Sequence, residues 1–567
     1  MGHTKRLILT GVLLLLVCGS LAWAKGAQPE PAAEEPVELK FFFEGSVSGT
    51  NLNDGIQTDP VSLEIAKRIG VKLDVIGVTT TEVLTTYLAS GELPDITSID
   101  TIKLFDQIIK GGLATPLDGL IETHGPDLLA NGRQKVEYSK RNYSAGTGKL
   151  YVIPGTSGAA AVTDPYIFGF NVRWDLYKKL GYPELNTYTD LLPLLKRMQE
   201  LEPVNENGQK VYGISFNSDW DGVTALYTTL IQPQYGWQNP ESDWHGEINV
   251  VEDYSVKSMF DPDSWMFKGA EFLWQANQMG LLDPDVITQT FPTYHEKMQA
   301  GRVLSSFVHW DTGIYRDRMY GEGQPDKGHM PIYPKDSTVM WQYAAAPTGL
   351  TLGWVISTKC EHPEKAMEFL NFMNSYDGAM MIFCGLEGDQ WIIKDGLPWL
   401  TDETVEQMQA DPLYGEKTGA GKYYNAAGLN EWNIHPEYGV ALGPGNWATT
   451  KARTYSPLYL DYIGHFDVDF VYEAYDKRFR KKMYYSDPYL GYMSPMPDDI
   501  SQIAQRISDM AKNEIYKMIF ASSASERDGI KQRIIDQARA LGIDEEMDWV
   551  SAERKLARAR YNEAMGQ

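Results

Sequence analysis

The stretch LASGELPDI, residues 88–96, reads as the end of a helix running directly into a new strand. Gly91 stops the helix, because glycine enters the left-handed region without a Cβ penalty. Leu93-Pro94-Asp95-Ile96 then begins an extended run, since a proline biases the residue before it away from helix. The same grammar recurs on both sides. Upstream, ELKFFF (38–43) is an apolar, aromatic strand, and Asp59-Pro60 is a helix start with aspartate as N-cap and proline in the first turn. VSLEIAKRI (61–69) has helical apolar spacing and is closed by Gly70; VKLDVIGV (71–78) is a strand; Thr81 caps the helix EVLTTYLAS (82–90). Downstream, DITSI (95–99) is a third strand and TIKLFDQIIKGG (101–112) a third helix. Alternating strands and helices with short links specify a parallel sheet with right-handed crossovers. Ser98 and Asp100 are then expected just beyond the third strand, where open α/β sheets hold ligands.

The middle of the chain repeats the pattern. YIFGFNV (166–172), KVYGISF (210–216) and RVLSSFVHW (302–310) are expected strands, and KGAEFLWQANQMG (268–280) and TYHEKMQAG (293–301) are helices ended by glycine. HPEKAMEFLNFMNS (362–375) is a helix opened by Pro363, and from about Asp498 the chain is strongly helical. No short repeat of solenoid type is visible.

The bulk properties narrow the function. The chain of 567 residues is long enough for two or more domains. Its net charge of −25 argues against a nucleic-acid partner, which would ask for a basic stripe. The first residues form a secretory signal: a basic start at Lys5-Arg6, the apolar run LILTGVLLLLVC (7–18), and small residues Ala22 and Ala24 at a cleavage site. That run is too short to span a membrane. Residues 1–24 are read as the signal peptide, with lipidation of Cys18 the rival reading, although Val17 departs from the small residue expected before a lipidated cysteine. Residues 25–37, rich in Pro, Ala and Glu, are read as a disordered tether. Beyond the leader only Cys360 and Cys384 remain, as one disulfide or two free thiols. No Cys/His cluster has metal-ligand spacing, and no metal or cofactor is expected.

Taken in order, ASGELPDI (89–96), GGLATPLDGLIETHG (111–125), GKLYVIPGTSG (148–158), FGFNVRWDLYKKLGYPELNTYTDLLPLLKRM (168–198), AGRVLSSFVHWD (300–311), GWVISTKCEHPEKAMEFLNFM (353–373) and GLEGDQW (385–391) form a recognisable series. The series resembles the extracellular solute-binding proteins of ABC importers, in the carbohydrate-type, maltose-binding-protein-like family and its large lipoprotein-like branch. The resemblance implies an α/β, two-lobed periplasmic-binding-protein fold of class II type, with an interlobe cleft and a long helical C-terminal extension. By analogy one lobe comprises residues 38–153 plus 345–395, and the other 154–344 plus 396–567. It further implies a monomeric, extracytoplasmic protein with a carbohydrate ligand and ABC permease subunits as partners.

A sugar offers apolar C–H faces and paired hydroxyl groups, so its site calls for aromatic rings beside carboxylates or amides. The candidates are Glu44 after the first strand, Asp100 after the third, Trp220 and Asp221 in NSDWDGV (217–223), Trp310 and Asp311 in VHWDTG (308–313), and Glu387 and Trp391 in GLEGDQW. The plain structural alternatives are a solvated strand end or turn for Glu44, a helix N-cap for Asp100, and a buried tryptophan with two capping acids for NSDWDGV. Trp354 is read as core, and Arg173 as one half of a structural ion pair. EPVNENGQKVYGI (202–214) resembles a calcium loop, but Pro203 and Ile214 occupy its first and last ligand positions, so it reads as an ordinary turn. No nucleophile elbow, H-E-x-x-H or phosphate loop is present. A secreted polysaccharide-active enzyme, and the same fold binding a peptide or another small solute, remain the alternatives.

Overall fold

The computed structural model of the protein describes residues 35–44, 54–78, 81–99, 102–158, 168–218, 231–239, 244–308, 311–337, 339–341, 349, 353–411, 413–478, 481–483 and 487–564. The signal-peptide reading and nearly all of the tether lie outside these residues.

The first sheet begins as its sequence dictates. Strand β1 (Val37–Glu44) and the short β2 (Gly55–Ile56) precede helix α1 (Pro60–Ile69). Asp59 caps α1 through the Ser62 amide at 2.9 Å, and Gly70 closes it at φ 69°. Strand β3 (Val71–Val78) lies parallel to β1 in unbroken register, from Val37 opposite Val71 to Glu44 opposite Val78. Helix α2 (Thr81–Ser90) ends at Gly91, whose φ of 72° is the left-handed conformation the sequence called for. Strand β4 (Ile96–Ile99) is buried throughout and parallel to β1, and the Asp95 carboxylate accepts from the Lys40 amide at 2.8 Å. Helices α3 (Ile102–Lys110) and α4 (Pro126–Asn142) follow, then β5 (Ile153–Pro154).

The chain next enters a second sheet made of β6 (Phe168–Arg173), β7 (Tyr212–Ile214), β8 (Val303–Val308) and β9 (His329–Ile332), in the order β9-β6-β8-β7. Helices α5 (Phe291–Gln299) and α6 (Thr312–Gly321) flank β8 in sequence. Strand β10 (Gly353–Ile356) then returns to the first sheet and inserts antiparallel between β4 and β5, giving the order β2-β3-β1-β4-β10-β5. This pairing places Ser98 inside β4, opposite Trp354 and fully buried, which corrects its expected position beyond the strand. Trp354 is core: its ring stacks on Phe41 with centroids 5.2 Å apart.

Each sheet has its own core. In the first, alternation sends Leu39, Phe41 and Phe43 toward α1, α7 (Pro363–Met373) and α8 (Tyr376–Cys384), and Phe42 toward Leu84, Phe105 and Ile108 on the other face. The second core joins Phe170, Leu304 and Ile332 to the C-terminal helices α9 (Asp498–Ile519) and α10 (Ala524–Leu541); α11 (Ile543–Ala564) follows. Along α9 the buried residues Ile500, Ile503, Ile507, Ala511, Ile515 and Met518 recur every three or four positions, one helical stripe seated on this core.

The division of the chain differs from expectation downstream of residue 395. Leu400, Tyr423, Leu429, Leu442 and Trp447 are buried in the first core, not the second. The physical reason is a match of apolar and charged groups: Lys422 pairs with buried Asp59 at 2.8 Å, and the Tyr423 hydroxyl meets Ser62 on α1 at 2.6 Å. The chain returns to the second core only with Leu458 and Tyr462. Cys360 and Cys384 are free thiols, and burial holds both above the ordinary thiol range.

Candidate functional site

The carboxyl ends of the strands define where a ligand meets this fold. In the first lobe Glu44 closes β1 level with Val78 at the end of β3, and Ile99 closes β4. Asp100 lies outside the described residues. In the second lobe β7 and β8 are parallel, so their carboxyl ends share one edge. Trp220, Asp221 and Trp310, expected beyond these ends, also fall outside the described residues; the structure shows instead how the described residues next to them are held.

After β7, the loop is pinned by a buried polar network. Ser215 donates to Asp283 at 2.7 Å, and Lys297 from α5 donates to the same carboxylate oxygen at 2.6 Å. Gln289 donates from Nε2 to Ser215 at 2.8 Å, while its carbonyl accepts from the Ser218 amide at 2.9 Å and the Ser218 hydroxyl at 3.1 Å. After β8, Asp311 is 2% exposed. Its carboxylate accepts from Tyr294 at 2.7 Å, Ser306 at 3.2 Å and His295 at 3.3 Å. These bonds bind Asp311 to its own lobe, and the residue anchors the loop that precedes it.

Glu387 and Trp391 come out differently from each other. Trp391 is buried in the first core, donates from Nε1 to the Gly385 carbonyl at 3.1 Å and meets the Tyr438 ring edge-on. Glu387, four residues earlier, is exposed. Arg173 follows its structural reading: fully buried, it donates to both oxygens of Asp175 at 2.8 Å and to Glu202 at 3.1 Å, and its guanidinium carbon lies 4.3 Å from the Tyr315 ring centre. Burial raises the Asp175 carboxyl, but the hydrogen bonds and charge of Arg173 outweigh it and hold the group below the ordinary range. The 202–214 loop closes on itself, with the Asn205 side chain accepting from the Asn207 and Gln209 amides at 3.1 and 2.9 Å.

The sequence reading passed over α5. Gln289, just before α5, and Tyr294, His295 and Lys297 on it brace the strand ends of the second lobe, yet TYHEKMQAG offers only a helical apolar pattern and a terminal glycine. The available signal was the density of polar groups, Tyr, His and Lys, on a helix leading into a buried strand.

Two other features of the fold have site-like residues. A groove of about 500 Å³ lined by Arg68, Asp127, Lys365, Glu368 and Asn371 lies at the amino ends of β1 and β3, away from the strand ends described above. Its charges are already matched, Lys365 to Glu368 at 2.7 Å. On the C-terminal helices, Ser508 lies 2.9 Å from Nε2 of His245, whose Nδ1 lies 3.1 Å from buried Glu546. The order Ser-His-Glu resembles a hydrolase triad, but Ser508 is inside α9, where backbone N–H groups serve the helix and form no oxyanion hole. Glu546 also accepts from the His245 amide at 2.7 Å, so the cluster clamps α9 and α11 to the segment around residue 245. Among the described residues no group of His, Cys, Asp and Glu could hold a metal ion, and no helix is long and apolar enough to cross a membrane.

The alginate-binding protein AlgQ2, solved without calcium ion, is 17% identical, with a TM-score of 0.61 over 92% of this chain and 98% of that one. The solute-binding protein FusA of S. pneumoniae, an EF-hand mutant in complex with fructo-nystose, is 16% identical, with a TM-score of 0.59 over 94% of this chain and 100% of its own. An HMO-binding, ABC-transporter-associated solute-binding protein from Bifidobacterium longum infantis is 15% identical, with a TM-score of 0.57 over 93% and 99%. At these identities the likeness shows the fold: two lobes with a long helical C-terminal region. No curated protein matches by sequence. The model of bacterial extracellular solute-binding proteins matches residues 64–380, more than half of the chain, and the protein belongs to that family.

Proposed function

We propose that the protein captures an oligosaccharide between its lobes and delivers it, chemically unchanged, to the permease subunits of an ABC importer, acting as a monomer outside the cytoplasm. The observation that carries this reading is family membership together with a fold shared, over more than nine-tenths of the chain, with proteins described as binding alginate, fructo-nystose or HMO. The mechanism is closure. A ligand that touches both lobes only in the closed form shifts the population toward that form by its differential affinity. Glu44, Asp100, Trp220, Asp221, Trp310 and Glu387 are the proposed contacts. Trp391 and Asp311 support them from within their own lobes. The leader either is cleaved after Ala24 or leaves the chain lipid-anchored through Cys18.

The test is calorimetric titration of the purified mature protein with a panel of gluco-, fructo- and manno-oligosaccharides and uronate oligomers, followed by chromatography of the recovered sugar. Saturable binding with the sugar recovered intact supports the reading. Turnover to shorter products would establish the enzyme instead, and affinity for peptides but for no glycan would move the ligand to another class.

A further inference from the structure

We propose that Phe291 and His295, one turn apart on α5, form a further wall of the ligand site in the second lobe, the phenyl ring covering an apolar sugar face and His295 accepting a sugar hydroxyl. This rests on the oligosaccharide reading above and adds two specificity-determining residues to it.

The placement follows from topology. Helix α5 leads into β8 through a glycine turn, and so runs back along it, with its first turn at the strand's carboxyl edge. Two residues before Phe291, the Gln289 carbonyl accepts from Ser218, at the foot of the loop that carries Trp220. One turn after it, His295 reaches Asp311, at the foot of the loop that carries Trp310. The pair is therefore tied on one side to Ser218, after β7, and on the other to Asp311, after β8. On α5 itself Tyr294 and Met298 are the buried side chains, whereas Phe291 is half-buried and the His295 side chain keeps 29% of its surface.

The chemistry suits a sugar. The Phe291 and His295 rings lie with centroids 3.7 Å apart at an interplanar angle of 53°, a tilted aromatic pair that presents apolar surface beside a polar edge. Because a carboxylate only accepts, the 3.3 Å contact to Asp311 places the imidazole hydrogen on Nε2. In neutral His295 that leaves a lone pair on Nδ1, which has no hydrogen-bond partner among the described residues. Asp311 thus fixes the tautomer and ring orientation, as a second group does for any positioned histidine.

The experiment takes the panel member that binds the wild type and measures its affinity for Phe291→Leu, Phe291→Ala and His295→Gln, alongside ¹⁵N-histidine spectra of the unsubstituted protein with and without that sugar. Phe291→Ala is expected to weaken binding about fivefold to tenfold, as for loss of one stacking ring, with Phe291→Leu intermediate. The ring-nitrogen resonance of Nδ1 in His295 should shift on saturation, which a role confined to holding the fold would not produce. Wild-type affinity in the variants together with an unmoved His295 resonance would overturn the wall while leaving the oligosaccharide reading intact. Absence of glycan binding in the wild type would overturn both.

Discussion

Three carbonyl oxygens surround the ammonium group of Lys135: those of Asn374 at 2.6 Å, Gly428 at 3.0 Å and Gly155 at 3.1 Å. Gly155 begins the first passage between lobes, and its neighbour Ser157 pairs its backbone with Gly428 and Asn430, so one buried lysine ties the hinge to the 427–433 strap. Burial pushes Lys135 down to about 7, so between there and the ordinary lysine range the unfolded chain holds the proton more tightly. Stability contributed at this position therefore rises with pH across that window. The melting temperature of the native protein minus that of Lys135→Met is expected to increase between about pH 7 and about pH 10; a difference flat with pH would contradict the assignment. Asp311 gives a second expectation. Replacing it with Ala removes a buried acceptor of the Tyr294 and Ser306 hydroxyls, and urea unfolding should show a loss of about 1–3 kcal/mol. Ligand affinity should fall as well, because the Trp310 loop loses its foot.

Single elements show why local chemistry was legible and long-range pairing was not. The cap of α1 at Asp59-Pro60 and its stop at Gly70 appear where the sequence places them, since capping depends on a few adjacent residues. So does Gly91, at φ 72°. Gly91→Ala is expected to cost about 1 kcal/mol in denaturant unfolding, from left-handed strain alone, since its Cβ would meet only Leu113 at 3.9 Å. By contrast, nothing near Ile96 announces that its strand pairs with residues 353–356, or that Trp354 will stack on Phe41. The 397–447 segment has the same limit: its apolar residues fit either lobe by composition, and only the Lys422–Asp59 and Tyr423–Ser62 contacts choose the first. In VHWDTG, sequence could not show that the Asp311 carboxylate is taken up by Tyr294, Ser306 and His295 of its own lobe. On α9 the period was clear and the packing partner was not. Ile507→Ala, on a fully buried side chain of that stripe, should destabilise by about 2–5 kcal/mol in the same assay.

Two independently packed sheets, each with its own core, make a molecule whose lobes can keep their shape while the angle between them changes. Helices α9 and α10 enlarge the second lobe by sharing their buried face with β6, β8 and β9, while Val550 of α11 packs in a smaller cluster with Trp244, Ile248 and Val250. The 432–433 loop reaches from the first lobe toward the second, where Trp432 packs with Trp244, Val250 and Val550. Any closure must work through this contact and through the passages near residues 155 and 447–457. The decisive experiment is a small-angle scattering titration of the mature protein with the oligosaccharide it binds. The radius of gyration should fall saturably, with the same half-point as the calorimetric binding curve, while the sugar is recovered intact. A radius of gyration unchanged at saturation would contradict capture by lobe closure.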